Sequence, residues 1–504
     1  MNNDGFLKRV AAVLILVPAL TATGCAVGPD YRTPEAPAVK TYTPTALPSE
    51  TESSQGTGGA AQRFIPGGDI PAQWWTLFHS PALDQLVKQA LLHNPTLQAA
   101  QATLRQAQEN VNALVGSVLY PRVDANASVA RQKISGAGIG QPNFNPSPFT
   151  LYNASVNVTY ALDVFGGARR ELEALESQID VQRFQLEGAY LTITSNIVAT
   201  VVKETSLRAQ LQAIRDILAA EQKLFDLVEL QYKLGGAARI DVLAQRTQLA
   251  QTQATLPPLE KELAQTRHFL AVLIGTLPGE SQALSQFTLD ELQLPSELPV
   301  SLPSSLVSQR PDIRATEALL HAASAQIGVA TANQYPQFNL TGSFGSVATT
   351  SDKLFSNGTG VWSFGAGLLQ PVFHGGALSA QRRAAVAAYD QALAQYQAVV
   401  LQAFQNVADV LRALDADAQT LRAQADADAA ARDTLELTQK QFQLGGVNQL
   451  YLLNAERQYQ QTRIGLIQAQ AARYADTAAL FQALGGGWWN RTKQTDTRTD
   501  ISAK

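Results

Sequence analysis

The chain has 504 residues, enough for more than one domain, and a formal net charge of −4 without any block of lysine or arginine. That balance argues against a nucleic-acid partner. Five scattered histidines and one cysteine give neither a metal-ligand spacing nor a disulfide within the chain, and no nucleophile–base set or phosphate loop is present. We therefore expect no catalytic and no metal site, and an enzyme is the least favoured class.

The N-terminus predicts a signal peptide over residues 1–24. A basic pair at 8–9 precedes an apolar run at 10–20 that is too short to span a bilayer as a helix. Small residues then lead to Cys25, as at a bacterial lipoprotein cleavage site, where the thiol is lipidated. Ala22 stands where that pattern prefers leucine, and the alternative is an ordinary signal-peptide cut with Cys25 incidental. We expect a covalent lipid on Cys25 and no other cofactor.

The rest of the chain is predicted to be a duplication. Residues 25–79, rich in Pro, Thr, Ser and Gly, are expected to form an irregular tether. A first repeat covers 80–280 and a second covers 302–487, with a linker at 281–301 and a C-terminal tail at 488–504. Matching motifs such as YPRVDANASVA and YPQFNLTGSFG follow the same order in both halves.

Each repeat contains, in order, a short helix, a helix, two strands, a very long helix, a glycine turn and a return helix. The first repeat has strands at about 122–134 and 151–165, a long helix at 168–234, a tip at 235–237 and a return helix at 238–275. The second has strands at about 337–345 and 360–373, a long helix at 377–444, a tip at 445–447 and a return helix at 448–484. At 1.5 Å per residue, each long helix would reach about 100 Å. Apolar stripes along both long helices predict coiled-coil packing.

The strands alternate between apolar and polar residues. In 151–165, Tyr152, Val156 and Val158 share one face, and Asn153, Ser155 and Asn157 share the other. A soluble sandwich could show the same alternation, but an aromatic outer face and a polar inner face on segments of about 10 residues are typical of an outer-membrane barrel. Four strands cannot close a barrel, so the chain must oligomerise, and this argument allows two, three or four copies.

Several motifs together resemble one family. They are CAVGPDYRTP (25–34), YALDVFGGARR (160–170), the segment RPDIRATEALLHAASAQIGVATANQYPQFNLTGSFG (310–345), the double-glycine turns and FQALGGGWW (481–489). They resemble the TolC-like outer-membrane factors, and within these the lipoprotein branch of OprM and the NodT-type proteins. The fold class implied is mainly α with a small β part. Three chains would share a 12-stranded transmembrane β-barrel, four strands from each, joined to a periplasmic α-barrel.

The resemblance also implies a function and partners. Such proteins are homotrimeric exit ducts of tripartite efflux pumps in the outer membrane, lipid-anchored and extending into the periplasm. A periplasmic adaptor, or membrane fusion protein, links them to an inner-membrane transporter, commonly of the resistance-nodulation-division type. We expect a passive duct for drugs or other toxic small molecules, with trimer assembly burying the apolar stripes. The alternatives are a duct for protein secretion and a periplasmic coiled-coil adaptor.

The double glycines mark the candidate periplasmic tips, Gly235-Gly236 and Gly445-Gly446, because glycine suits a helix end and a tight reversal. By resemblance, the residues after the second turn form the constriction of the resting channel.

The gate candidates after that turn are Leu450, Asn454 and Arg457. The family carries an aspartate where this chain has Asn454, whereas Asp241, after the first turn, keeps the family's acidic position and is a fourth gate candidate. Three asparagines around an axis carry no charge. We therefore expect a gate closed by Leu450 packing and amide contacts, with weak block by divalent cations.

Overall fold

A computed structural model describes residues 26–135, 140 and 147–491. The predicted signal peptide (1–24), Cys25 and residues 492–504 of the predicted tail lie outside the described residues. The chain divides into two compact units, each assembled from three segments. Unit 1 comprises Met1–Pro34, Thr103–Arg183 and Ala315–Gln397, and unit 2 comprises Glu35–Ala102, Phe184–Arg314 and Ala398–Lys504.

The helices follow one another in nearly the same order in both halves. They are α1 (Pro81–His93), α2 (Pro95–Val118), α3 (Gly167–Lys233), α4 (Arg239–Gln253), α5 (Leu256–Leu273), α6 (Pro303–Gln309), α7 (Pro311–Ala332), α8 (Ala377–Gln443) and α9 (Gln449–Ala483). The strands are β1 (Arg63–Pro66), β2 (Arg122–Gln132), β3 (Phe149–Leu162), β4 (Glu297–Val300), β5 (Gln337–Ala348) and β6 (Gly360–Leu369).

The helices α3 and α8 are the long helices of the two repeats, and each contains 67 residues. Alanine, leucine and glutamine are frequent in both, and proline is absent from both, which allows uninterrupted backbone hydrogen bonding. At the start of α3, the Asp163 carboxylate accepts hydrogen bonds from the backbone N–H groups of Ala168 (3.2 Å) and Arg169 (3.0 Å). A carboxylate there satisfies donors that have no partner within the helix. None of the helices in the described part of the chain is apolar enough over a sufficient length to cross a membrane.

The single return helix predicted at 238–275 is wrong, because the structure divides it into α4 and α5. Pro257 and Pro258 follow the break and cannot donate backbone hydrogen bonds, so the α-helical ladder is interrupted there. The chain crosses the break with a tighter turn, in which the Thr255 N–H donates to the Thr252 carbonyl at 3.1 Å. The second return helix, α9, has no proline and continues for 35 residues.

Unit 1 contains an antiparallel sheet of four strands in the order β2-β3-β5-β6. Its register aligns the predicted faces across all four strands. One row pairs Asp124, Asn157, Ser343 and Ser363, and the next row pairs Ala125, Val156, Phe344 and Trp362. Trp362 is 78% exposed in the single chain. The sheet therefore presents one polar face and one aromatic and aliphatic face, as the sequence predicts.

The N-terminal peptide of unit 1 packs against the start of α3 and against α7. The Val27 N–H donates to the Phe165 carbonyl at 3.0 Å, and Arg170 forms an ion pair of 2.6 Å with Asp30. The Tyr31 ring stacks on His321 with 4.3 Å between ring centroids. The residues that follow the predicted lipid acceptor are thus fixed on the protein surface.

The predicted tether (25–79) and linker (281–301) are more ordered than the sequence suggests. In unit 2 they contribute β1 and β4, which form a parallel pair. Arg473, which is fully buried, donates to the Gly58 carbonyl at 3.0 Å and to the Gln62 side chain at 2.9 Å. Trp74 stacks on Phe481 at 5.2 Å. Long-range contacts by a few large side chains order a segment whose composition is typical of loops.

The apolar stripes are buried within one chain, which corrects the expectation that trimer assembly buries them. On α8, Val407, Leu411 and Leu414 are at most 1% exposed. Further toward the C-terminus of the same helix, Leu421 packs against Leu466 and Ala469 of α9. The helices of a single chain therefore supply their own coiled-coil partners.

The two tips have the same backbone conformation. In the first, the Gly235 N–H donates to the Tyr232 carbonyl (3.0 Å) and the Gly236 N–H donates to the Gln231 carbonyl (2.8 Å). The second tip repeats both bonds between Gly445 and Phe442 and between Gly446 and Gln441. This pair of bonds is the Schellman motif, with the first glycine in the left-handed region at φ 79° and 75°. The second glycine of each pair does not have a positive φ.

The motif predicts different effects at the two glycines of one tip. Gly235→Ala forces an L residue into the left-handed region, at a cost of roughly 1–2 kcal/mol. Gly236→Ala is the matched control, because an added Cβ would lie 3.6 Å from the Gln231 carbonyl oxygen, an ordinary contact. Hydrogen exchange of the tip amides should accelerate roughly 5–30-fold in the first variant and little in the second. Equal effects would contradict the Schellman assignment.

Candidate functional site at the double-glycine turns

The second tip divides the first turn of α9 into an exposed and a buried side. The Asn448 side chain caps the helix by accepting a hydrogen bond from the Tyr451 N–H at 3.3 Å. Leu450 and Tyr451 are 62% and 64% exposed, whereas Leu452 and Leu453 are buried. Two large apolar side chains therefore remain uncovered in the single chain directly after the turn.

The three gate candidates that follow the second turn lie on the exposed side of α9. Leu450, Asn454 and Arg457 are separated by four and three residues, which places them on one face of a helix, and all three are exposed. The Arg457 Nε donates to the Gln248 side-chain oxygen on α4 at 2.6 Å. Within the described residues, the Asn454 side chain has no hydrogen-bond partner. The structure thus leaves the leucine and the amide available to a neighbouring copy, and their gating role stays a prediction.

Asp241 has a local role at the first tip. Its carboxylate accepts a hydrogen bond from the Ala238 N–H at 3.0 Å, at the N-terminus of α4. Ala238, which precedes α4, has no side-chain acceptor, so Asp241 satisfies a donor that would otherwise lack a partner within the helix. Asp241 therefore caps α4, and its part in a constriction stays a prediction.

The acid of the first tip and the amide of the second are not counterparts. Asp241 is the third residue of α4, whereas Asn454 is the sixth residue of α9. The third residue of α9 is Tyr451, and there the cap is Asn448. The difference in charge between the two tips therefore does not come from one changed position.

A buried polar layer beside the tips was missed by the sequence analysis. Gln449 donates to Gln245 at 2.6 Å, and Gln245 donates to Glu456 at 3.4 Å, so α9 and α4 are joined. Gln248 and Thr252 donate to Glu221 of α3 at 3.2 and 3.0 Å. All of these side chains are buried in the single chain.

The signal for this layer lies in the sequence spacing. Gln245, Gln248 and Thr252 follow one another at three and four residues, and Gln449 and Glu456 are seven apart. Such steps normally mark the apolar core face of a helix. Polar residues at these positions predict a buried hydrogen-bonded layer, which a search for apolar stripes passes over.

Burial changes the acidity of this layer. Removal from water, together with the negative charge of Glu221, raises the pKa of Glu456 to about 7, although the hydrogen bond from Gln245 opposes that shift. Burial also raises the pKa of Glu221, while hydrogen bonds from Gln248 and Thr252 oppose that shift. Among the described residues, no group of three or more His, Cys, Asp or Glu side chains is placed to hold a metal ion.

Comparison with known proteins identifies the family. The model of the outer membrane efflux protein family matches residues 86–276 and 302–486, one stretch in each half of the chain. This chain belongs to the outer membrane efflux protein family. The match includes both long helices, both double-glycine turns and all four gate candidates.

Several proteins similar to this efflux protein are named for the export of a compound. It is 32% identical over 428 residues to the pyoverdine export outer membrane protein OpmQ of Pseudomonas putida, covering 83% of this chain and 89% of that protein. It is 29% identical over 493 residues to the toluene efflux pump outer membrane protein TtgC, from another strain of Pseudomonas putida, covering 97% and 98%. The solved outer-membrane channel OprN superposes with a TM-score of 0.83 at 28% identity, over 92% of this chain and 100% of that one.

These similarities establish the class of molecule and its setting. The efflux protein is an outer-membrane channel of a tripartite pump, in which an adaptor and an inner-membrane transporter are the other components. It acts as a homotrimer and extends into the periplasm. Members of the family are transport proteins.

Proposed function

We propose that this efflux protein is a passive, gated exit duct for toxic small molecules and that it catalyses no reaction. The proposal rests on the two faces of the sheet in unit 1. Its rows of Asp124, Asn157, Ser343 and Ser363 give one wet face, opposite an aromatic face suited to lipid. A polar wall offers solutes an aqueous path, and the driving energy comes from the partner transporter.

The proposed cargo follows from the named relatives. Toluene and pyoverdine are both small molecules, although they differ greatly in polarity. A duct that serves such different cargo selects by size and by its pump rather than by a shaped binding pocket. Protein secretion, the alternative from the sequence, has no support among these names.

We place the gate of the resting duct at the exposed side of α9. In a trimer, three copies of Leu450 would meet around the axis, with Asn454 one turn further along the helix. Leucine packing would exclude water, and the three amides would hydrogen-bond to one another or to water without creating a charged ring. Arg457, already bonded to Gln248, would brace α9 against α4.

Shortening the gate leucine should make the duct leak. In a strain lacking the gene, the wild-type protein should restore resistance to toxic small molecules. Leu450→Ala should restore it too, but should also admit a glycopeptide antibiotic that the intact outer membrane excludes. Leu444→Ala is the matched control, because Leu444 is an exposed leucine on the other side of the same turn. Unchanged antibiotic uptake with Leu450→Ala would remove Leu450 from the gate.

Unaltered drug resistance together with impaired protein secretion in the deletion strain would favour the secretion alternative.

The uncharged ring predicts a weak response to divalent cations. Conductance of the purified wild-type trimer in a planar bilayer should change little when a divalent cation is added. Asn454→Asp should create a ring of three carboxylates and therefore introduce block. Asn448→Asp is the control, since it adds the same charge at the cap, where aspartate is equally suitable. Strong block of the wild-type channel at low cation concentration would contradict the uncharged gate.

We also propose that Cys25 carries a covalent lipid, and the packing of its neighbours supports this. Ala26 lies against Gly166, where an added Cβ would come within 2.6 Å of the alanine. Gly166 is four residues beyond Leu162, the end of β3. Ala26, the first described residue after the predicted lipid acceptor, therefore lies near the end of β3, and we propose that acyl chains on the preceding residue enter the bilayer there.

Labelled palmitate should therefore enter the wild-type protein and not the Cys25→Ser variant. Cys25 is the single cysteine of the chain, so loss of label can be assigned to that thiol. The mass of the mature N-terminal peptide should show the acyl groups directly. A mature protein with an unmodified Cys25 thiol, or one cleaved elsewhere, would contradict the proposal.

A further inference from the structure

Two carboxylic acids are buried beside the tips within a single chain. Glu221 on α3 and Glu456 on α9 are 1% and 4% exposed, respectively. Assembly with other copies can only remove more water from them. Both groups are therefore shielded from water while the tip is packed, and their charge states there are set by what this chain places around them.

The two acids are held side by side along α4. Gln248 donates to Glu221 and Gln245 donates to Glu456. Glutamines three residues apart are neighbours on a helix surface, with roughly 5–6 Å between their Cβ atoms. The amides of α4 thus bring the acid of α3 close to the acid of α9.

Each acid has one oxygen with no partner. The hydrogen bonds from Gln248 and Thr252 reach Oε1 of Glu221, and the bond from Gln245 reaches Oε2 of Glu456. Oε2 of Glu221 and Oε1 of Glu456 are buried and have no hydrogen-bond partner. Two neighbouring ionised carboxylates without full hydrogen bonding are unfavourable in a dry site, and one bound proton relieves both problems.

No cation forms an ion pair with either acid. Among the ion pairs of the described residues, none includes Glu221 or Glu456. The positive charge of Arg457 lowers the pKa of Glu221 in part, but burial outweighs it, and the Arg457 side chain donates its hydrogen bond to Gln248. Arg463 lies 3.7 Å from Asp428 of α8. Further ionisable groups on the same cleft include Arg215 and Asp216 of α3, Glu260, Arg267 and His268 of α5, and Arg432 of α8.

We infer that Glu221 and Glu456 form a proton-binding pair, which holds a proton while α3, α4 and α9 are packed together and releases it when the tip opens. Acid therefore favours the packed tip and alkali favours the open one. The inference goes beyond the gate proposal and does not need it, because it concerns packing between helices of one chain.

The direction of the pH effect follows from the acidity of Glu456. In the packed tip its pKa is about 7, and in an opened, hydrated tip the pKa returns toward the ordinary value of 4.5. A raised pKa means that protonation stabilises the packed form. That stabilisation is fully present in acid and is lost as the pH rises through about 7.

Hydrogen exchange of the intact trimer tests this inference. Between pH 8 and pH 6, protection of α4 and of the first turns of α9 should rise about tenfold beyond the intrinsic pH dependence of exchange. Glu456→Gln should abolish the rise and stay protected at both pH values, because glutamine resembles the protonated acid. Glu221→Gln should move the midpoint to lower pH, because a neighbouring negative charge is removed. Asp226→Asn, an exposed acid of α3, should behave as the wild type.

The outcomes separate this inference from its rivals. Equal protection of the wild type at both pH values would overturn it. A pH dependence that survives in both glutamine variants would also overturn it and would assign the proton to another group, since histidine titrates in the same range. Antibiotic exclusion by Leu450→Ala has no bearing on this result, so the gate can fail while the proton-binding pair stands.

Discussion

Backbone hydrogen bonding in lipid is the constraint on which the rest of this molecule depends. The edge strands β2 and β6 each have one partner within the chain, and each therefore leaves a row of N–H and C=O groups unpaired. Lipid offers no water to such groups. Other copies of the chain must pair both edges, and the helices that leave each hairpin are then repeated around the same axis. Assembly with other copies is thus a requirement of the sheet before it is a property of the pump.

Each long helix has one surface that packs within the chain and another that stays exposed in the single chain. Stripes such as Val407, Leu411 and Leu414 are covered by the chain's own helices, whereas Leu401 and Leu437 on α8 and Leu450 on α9 remain exposed. The buried polar layer belongs to the first surface and the gate candidates to the second. One chain alone can therefore set the charge state beside the tip, whereas the proposed gate needs three.

Periodicity made most of the fold predictable, because alternation over a strand or a stripe along a helix needs no distant partner. The sheet register, the ends of α3 and α8 and both glycine turns follow from such local signals. The break between α4 and α5 needed attention to Pro257 and Pro258. Long-range contacts account for the rest. The strands β1 and β4 have four residues each, and the tether is fixed by Arg473 and Phe481 from distant parts of the chain. The candidate site could be predicted only in part. Gln245 and Glu456 interrupt an apolar pattern, so their buried layer does not appear as a stripe. The capping role of Asp241 depends on Ala238, which has no side-chain acceptor.

The two tips share a backbone conformation, but different residues cap the helix that follows each tip. Asp241 caps α4, and Asn448 caps α9. The polar residues around the two reversals therefore differ, although the backbone of the turn is the same. A duplicated chain in a symmetric trimer in this way presents six reversals that belong to two chemically distinct sets.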